Sequence, residues 1–176
     1  MVLKVIPMRS LIYLVFFFIP LMDSIAAGPA DLIHKVAEKS TDKNLNIKEF
    51  FPVDSLKEMH KDDQYYQLVE TGGGDLVAYA FASSAYGRYE AFDYFIIYDL
   101  ELTIIKVQVY KYRSTHGGAI AGKRWLRQFS GHKGDELQYG QNVQAVSGAT
   151  ISGNSIVNDA RRASRLMESA EKKLSH

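Results

Sequence analysis

The chain contains no cysteine. This excludes disulfides, thiol redox chemistry, iron–sulfur ligation, c-type haem attachment and a lipid anchor on cysteine. It also lacks an excess of either charge, with 21 Lys and Arg against 20 Asp and Glu. Such a balance offers no electrostatic footprint for nucleic acid or for an anionic membrane. The five histidines (His34, His60, His116, His132, His176) show no close ligand spacing, so no metal site is expected. "SGNSIV" lacks the second glycine of a serine-hydrolase elbow. "TGGGD" reads as a hairpin turn, because no lysine follows it as in phosphate-binding loops.

No apolar run reaches the ~20 residues of a spanning helix. The stretch between Arg9 and Asp23 instead fits a secretory signal peptide: basic Lys4 and Arg9, an apolar core at Leu11–Met22, then small residues in "DSIAA". Cleavage after Ala26 is expected, giving an exported chain, periplasmic or at the cell surface. If the leader stays, it becomes a membrane anchor. Losing Lys4, Arg9 and Asp23 takes the formal charge from +1 to zero. The remaining ~150 residues can bury roughly two-thirds of their surface, enough for an apolar core to hold the fold without cross-links.

Hydrophobic periodicity divides the rest. Residues 27–60 read as an N-terminal helical segment, in which Leu32, Ile33, Val36 and Ala37 share a helical face ending near Ser40. "NIKEFFPVD" is expected to be a break, and "SLKEMHKDD" one or two helical turns. Residues 61–176 form the main domain. There "YYQLVE", "LVAYAFAS", "YFIIYDL" and "LTIIKVQVYKY" are rich in β-branched and aromatic residues, separated by turn signals. In the last of these, Ile105, Val107 and Val109 are expected on one face, with Lys106, Gln108 and Tyr110 on the other. The pattern predicts an antiparallel meander with helices on one face, an α+β fold. Ile120, Trp125, Leu126 and Phe129 suit a short helix closing at Gly131. A long final helix is marked by Ile156, Ala160, Ala163, Met167, Ala170 and Leu174. Arg161 and Arg162 are expected to form surface ion pairs, and Asp62 and Asp63 to lie in a solvated loop.

Just before that helix runs "QAVSGATISGNS", Gln144–Ser155. A Ser or Thr cap accounts for one hydroxyl there, worth ~1 kcal/mol. Ser147, Gly148, Ala149, Thr150 and Ser152 together also leave the backbone open to a bulky anionic ligand at a helix start. Tyr112 and His116, beside Gly117 and Gly118, are candidate walls and donors for a flat ring system. Core packing is the preferred reading for Trp125 and Phe129.

"VQVYKYRSTHGGAI", "KRWLRQFSG" and "VQAVSGATISGNSIV", in this order, resemble the FMN-binding domain family over about Asp75 to Ala163. The family includes flavoprotein subunits of the sodium-translocating NADH:quinone reductase and of Rnf complexes, with small free-standing relatives. The resemblance implies FMN as cofactor, phosphoester-linked to Thr150 by a separate flavin transferase that uses FAD as donor. It implies contacts from Ser147, Gly148, Ala149, Ser152, Gln144, Tyr112, His116, Gly117 and Gly118. It further implies electron relay to redox partners such as a membrane dehydrogenase or a quinone or cytochrome system. Three positions depart from the family's pattern: Gln144 replaces an aspartate, Ala119 an acidic residue, and Gly153 a hydroxyl residue. A second reading therefore stands beside the first, an exported non-redox binding domain that has lost flavinylation.

Overall fold

The chain's last helix and its first lie on opposite faces of one five-stranded antiparallel sheet. The computed structural model describes residues 28–50 and 59–174. The expected signal peptide and its cleavage point lie outside these residues, as does the part of the predicted break from residue 51 to 54. Helix α1 spans Pro29–Thr41, with Pro29 in its first turn, where a missing N–H costs nothing, and Asp42 in the left-handed region at its end. The strands are β1 (Leu45–Phe50), β2 (Gln64–Glu70), β3 (Leu76–Tyr86), β4 (Ala91–Tyr98) and β5 (Ile104–Lys111). They pair in chain order, each antiparallel to the next. β1 occupies the segment read as a break, because its pairing with β2 overrides weak local propensity. The described end of "SLKEMHKDD" is a turn that leads into β2, not a helix.

Helices cover both faces of the sheet, rather than the one face expected. Ile33 and Ala37 of α1 pack with Tyr66, Leu68, Ala80, Phe95 and Ile97. On the other face Ile156, Ala160, Ala163 and Met167 of α3 (Thr150–Leu174) pack with Tyr65, Phe81, Tyr94, Ile96 and Val107. The alternation expected in β5 fails at one residue. The register jumps between Ile97 and Tyr98, whose partners are Lys106 and Ile104, so Ile105 is inserted and turns to the α1 face.

The segment after β5 is tighter than one helix. It runs as a 3₁₀ turn at Gly118–Ala121, helix α2 at Lys123–Leu126 and a second 3₁₀ turn at Arg127–Phe129. Ile120, Trp125, Leu126 and Phe129 are all buried, and Gly131 follows at φ 84°. Among the described residues no helix is long and apolar enough to cross a membrane.

Two further expectations give way to one buried cluster. Arg162 and Asp63 lie inside, not on the surface. Arg162 Nη1 and Nη2 donate to the two oxygens of Asp63 at 2.7 and 3.0 Å, and Nε donates to Asp159 at 2.5 Å. Ser83 Oγ donates to Asp63 at 2.6 Å, and the Tyr94 hydroxyl donates to Asp159. Burial pushes the Asp63 carboxyl up, but hydrogen bonds from Arg162, Ser83 and the His60 N–H outweigh it and hold the group below its ordinary value. The cluster ties the middle of α3 to β3, β4 and the turn before β2.

Candidate functional site

The loop Gln144–Ala149 is held at three points before α3 begins. Trp125 Nε1 donates to the Gln144 carbonyl at 2.8 Å, and Gln144 N–H donates to Gln128 Oε1 at 2.9 Å. The Val146 N–H donates to the Tyr139 hydroxyl at 3.0 Å. A turn from Val146 to Ala149, closed at 3.1 Å, then places Gly148 at φ 75°, a left-handed angle that glycine adopts without strain. Trp125 is thus a core residue that also fixes the loop.

Among the described residues no serine or threonine side chain hydrogen-bonds to the first N–H groups of α3. Ala149 precedes its first residue, and no acidic residue lies in its first turn. The backbone N–H groups of Thr150, Ile151 and Ser152 bond to nothing among the described residues. They present the positive end of the macrodipole of a 25-residue helix to the outside. Thr150 is exposed, and no described group hydrogen-bonds to its hydroxyl.

A second loop faces this helix start. Arg113 forks onto Asp93 of β4, its Nη1 at 3.0 Å and Nη2 at 2.5 Å from the carboxylate, and also reaches the Ala91 carbonyl. Burial pushes the Asp93 carboxyl up, while Arg113 and Ser84 more than offset this and leave it below its ordinary value. From that base the chain turns through "STHGG". The Tyr112 hydroxyl donates to the His116 carbonyl at 2.8 Å and lies 3.1 Å from Ser152 Oγ. Gly117, at φ 77°, sits so close that a Cβ there would fall 2.9 Å from Tyr112 Oη and 3.3 Å from Ser152 Oγ.

Between the loops lies a cavity of about 170 Å³, lined by Arg88, His116, Gly117, Gly148, Ala149, Thr150, Ile151 and Ser152. Residues 88–165 match the family described as FMN-binding domain. The chain carries an FMN-binding domain. Its cofactor is FMN. A search of curated proteins found no match.

Six of the site residues read from the FMN-binding domain's sequence line the cavity: His116, Gly117, Gly148, Ala149, Thr150 and Ser152. Ser147 and Gly118 adjoin it, and Tyr112 lies beneath as a tether. The Gln144 side chain is exposed and makes no hydrogen bond among the described residues, while its backbone is fixed. Arg88 and Ile151 were not anticipated. Arg88 comes from the β3–β4 turn, some sixty positions from Thr150 in sequence, so no local pattern could place it there.

The donor set fits the phosphate end of FMN. Unbonded N–H groups, a guanidinium and an open hydroxyl converge on a cavity that glycines keep clear. The chain has no cysteine, and among the described residues no group of His, Asp or Glu is placed to hold a metal ion.

Proposed function

We propose that the chain is an exported flavoprotein in which FMN, joined to Thr150 through a phosphoester, relays electrons between redox partners outside the cytoplasm. The observation that carries the reading is the Thr150 hydroxyl: exposed, unpartnered among the described residues, and at the edge of the cavity where α3 starts. A threonine hydroxyl needs an activating base. His116 is the cavity's one imidazole, and its Nδ1 is engaged by Thr115 Oγ1 at 3.0 Å. The family resemblance implies that a separate flavin transferase makes the attachment, with FAD as donor. The Thr150 Oγ–P bond forms as the pyrophosphate bond of FAD breaks, AMP leaves, and the transferase takes the hydroxyl proton.

Bound FMN supplies the electron-transfer chemistry, and the protein supplies placement and charge. The α3 N–H groups and Arg88 offset the phosphodiester's negative charge. Gly117 and Gly148 keep side chains out of the cavity. The Tyr112–Ser152 contact fixes the facing loop against α3. Donors and acceptors such as a membrane dehydrogenase, a quinone or a cytochrome would meet the flavin at this open rim.

The test is intact mass of protein recovered from the exported fraction of a host with an active flavin transferase. The expected gain is one FMN minus water, mapped to Thr150 and absent in Thr150→Ala. Gain of the same mass in Thr150→Ala would sink the ester. A colourless, unmodified protein would favour the second reading, a non-redox binding domain. The side chain of Gln144, exposed and unbonded among the described residues where the family has aspartate, is the observation on that side.

A further inference from the structure

The cavity beside Thr150, at about 170 Å³, is smaller than the roughly 300–1,000 Å³ that encloses a drug-sized ligand. It has room for a phosphate and part of a sugar chain, so a flavin ring attached there must lie on the rim. The rim is unusual in what it exposes. Among the described residues, the exposed large apolar side chains are Tyr86 at 73 %, Tyr89 at 64 %, Ile151 at 53 % and Leu100 at 44 %. Leu100 lies in the β4–β5 turn, at the opposite end of the sheet. Of the other three, Ile151 and Tyr89 belong to this rim. Ile151 lines the cavity. Tyr86 ends β3 beside α3, its N–H donating to Ser155 Oγ at 3.1 Å, and these two residues line a separate cavity. Tyr89 meets the ring of His116, a cavity-lining residue, edge to face at 5.6 Å. The guanidinium of Arg88, also cavity-lining, stands 5.3 Å from the Tyr89 ring centre.

Single exposed apolar residues are ordinary, but two around one cavity mouth mark a surface kept for a ligand. Tyr89 is held between a cation and an imidazole yet left nearly two-thirds exposed. That arrangement fixes a π surface and leaves it open to stack with another.

We propose that Tyr89, held by Arg88 and His116 and joined by Ile151, is the bed of the flavin ring. The inference rests on FMN attachment at Thr150. It makes the β3–β4 turn part of the cofactor site and leaves the ring's outer side open to partner proteins.

Because the ester fixes occupancy, ring contacts can be changed without losing the flavin. Flavin fluorescence, per mole of FMN counted by mass, is compared between the flavinylated protein and its Tyr89→Leu, Arg88→Ala and Leu100→Ser variants. Tyrosine in contact with a flavin quenches it. Tyr89→Leu should raise the emission several-fold, Arg88→Ala should raise it less, and Leu100→Ser should leave it unchanged. Tyr89 is exposed, so the variant keeps the fold, and its circular dichroism in the far ultraviolet should match. A flavinylated protein whose emission ignores both rim substitutions overturns the ring bed alone. Such a result would leave the exposed tyrosines as a docking surface for a partner. A protein that takes up no flavin overturns attachment and the bed together.

Discussion

Replacing Arg162 with methionine should destabilise the protein by roughly 3–5 kcal/mol, the cost of leaving buried carboxylates unpaired. Asp63 and Asp159 are both buried, and this one guanidinium is the cation that hydrogen-bonds to both, beside the neutral donors Ser83 and His60 N–H on Asp63 and Tyr94 on Asp159. Methionine fills the same space without a charge, so packing loss is small and the measured change reports the electrostatics. The effect should appear as a fall in the denaturant midpoint with an unchanged slope. A loss under about 1 kcal/mol would mean that the cluster behaves as a solvated surface pair. The sign of the pH dependence follows from Asp63, whose carboxyl is held below its ordinary value of 3.8. Its contribution is complete above that value and is lost as pH falls through the lower, folded one. In Arg162→Met the unpaired carboxyl protonates more readily, so the gap between the two proteins should close in acid, below roughly pH 4.

That cluster also shows what the sequence could and could not convey. The four main strands, the meander order and the buried stripe of α3 were legible, because each is a local periodicity that tertiary packing reinforces. Asp63 and Arg162 were not. They are 99 positions apart, and each alone resembles a solvated charge. β1 was missed for a related reason: "LNIKEF" carries little strand signal of its own and is held by the edge of β2. The insertion at Ile105 is invisible to a period-two reading, since alternation appears intact until the partner strand is known. At the site, Thr150 and its small neighbours were readable as a contiguous motif. Arg88 and Tyr89 were not, because the sheet brings the β3–β4 turn to α3 from a distant part of the chain. The capping role weighed for Ser and Thr also fell away: Ala149 stands before the helix, which leaves the N–H groups free for a ligand.

Gly153→Ala should destabilise the protein by about 1–3 kcal/mol, the usual cost of forcing an extra group into a packed contact. In an ordinary helix the same change stabilises by about 1 kcal/mol, so the sign alone is diagnostic. A Cβ at Gly153 would fall 2.4 Å from Tyr139 Cε2 and 2.8 Å from its Cζ. Tyr139 must then move, and its hydroxyl is the acceptor for the Val146 N–H that holds the loop leading to Thr150. The glycine found where the family has a hydroxyl residue is thus matched to this tyrosine. Two readouts separate packing from positioning. Adding Tyr139→Leu to Gly153→Ala removes the clash and should recover most of the stability in denaturant. It also removes the acceptor for Val146, so the fraction of chains flavinylated at Thr150 should stay reduced. If the double variant regained both, loop placement would not depend on Tyr139. If Gly153→Ala instead gained stability, the ring would not lie against the helix.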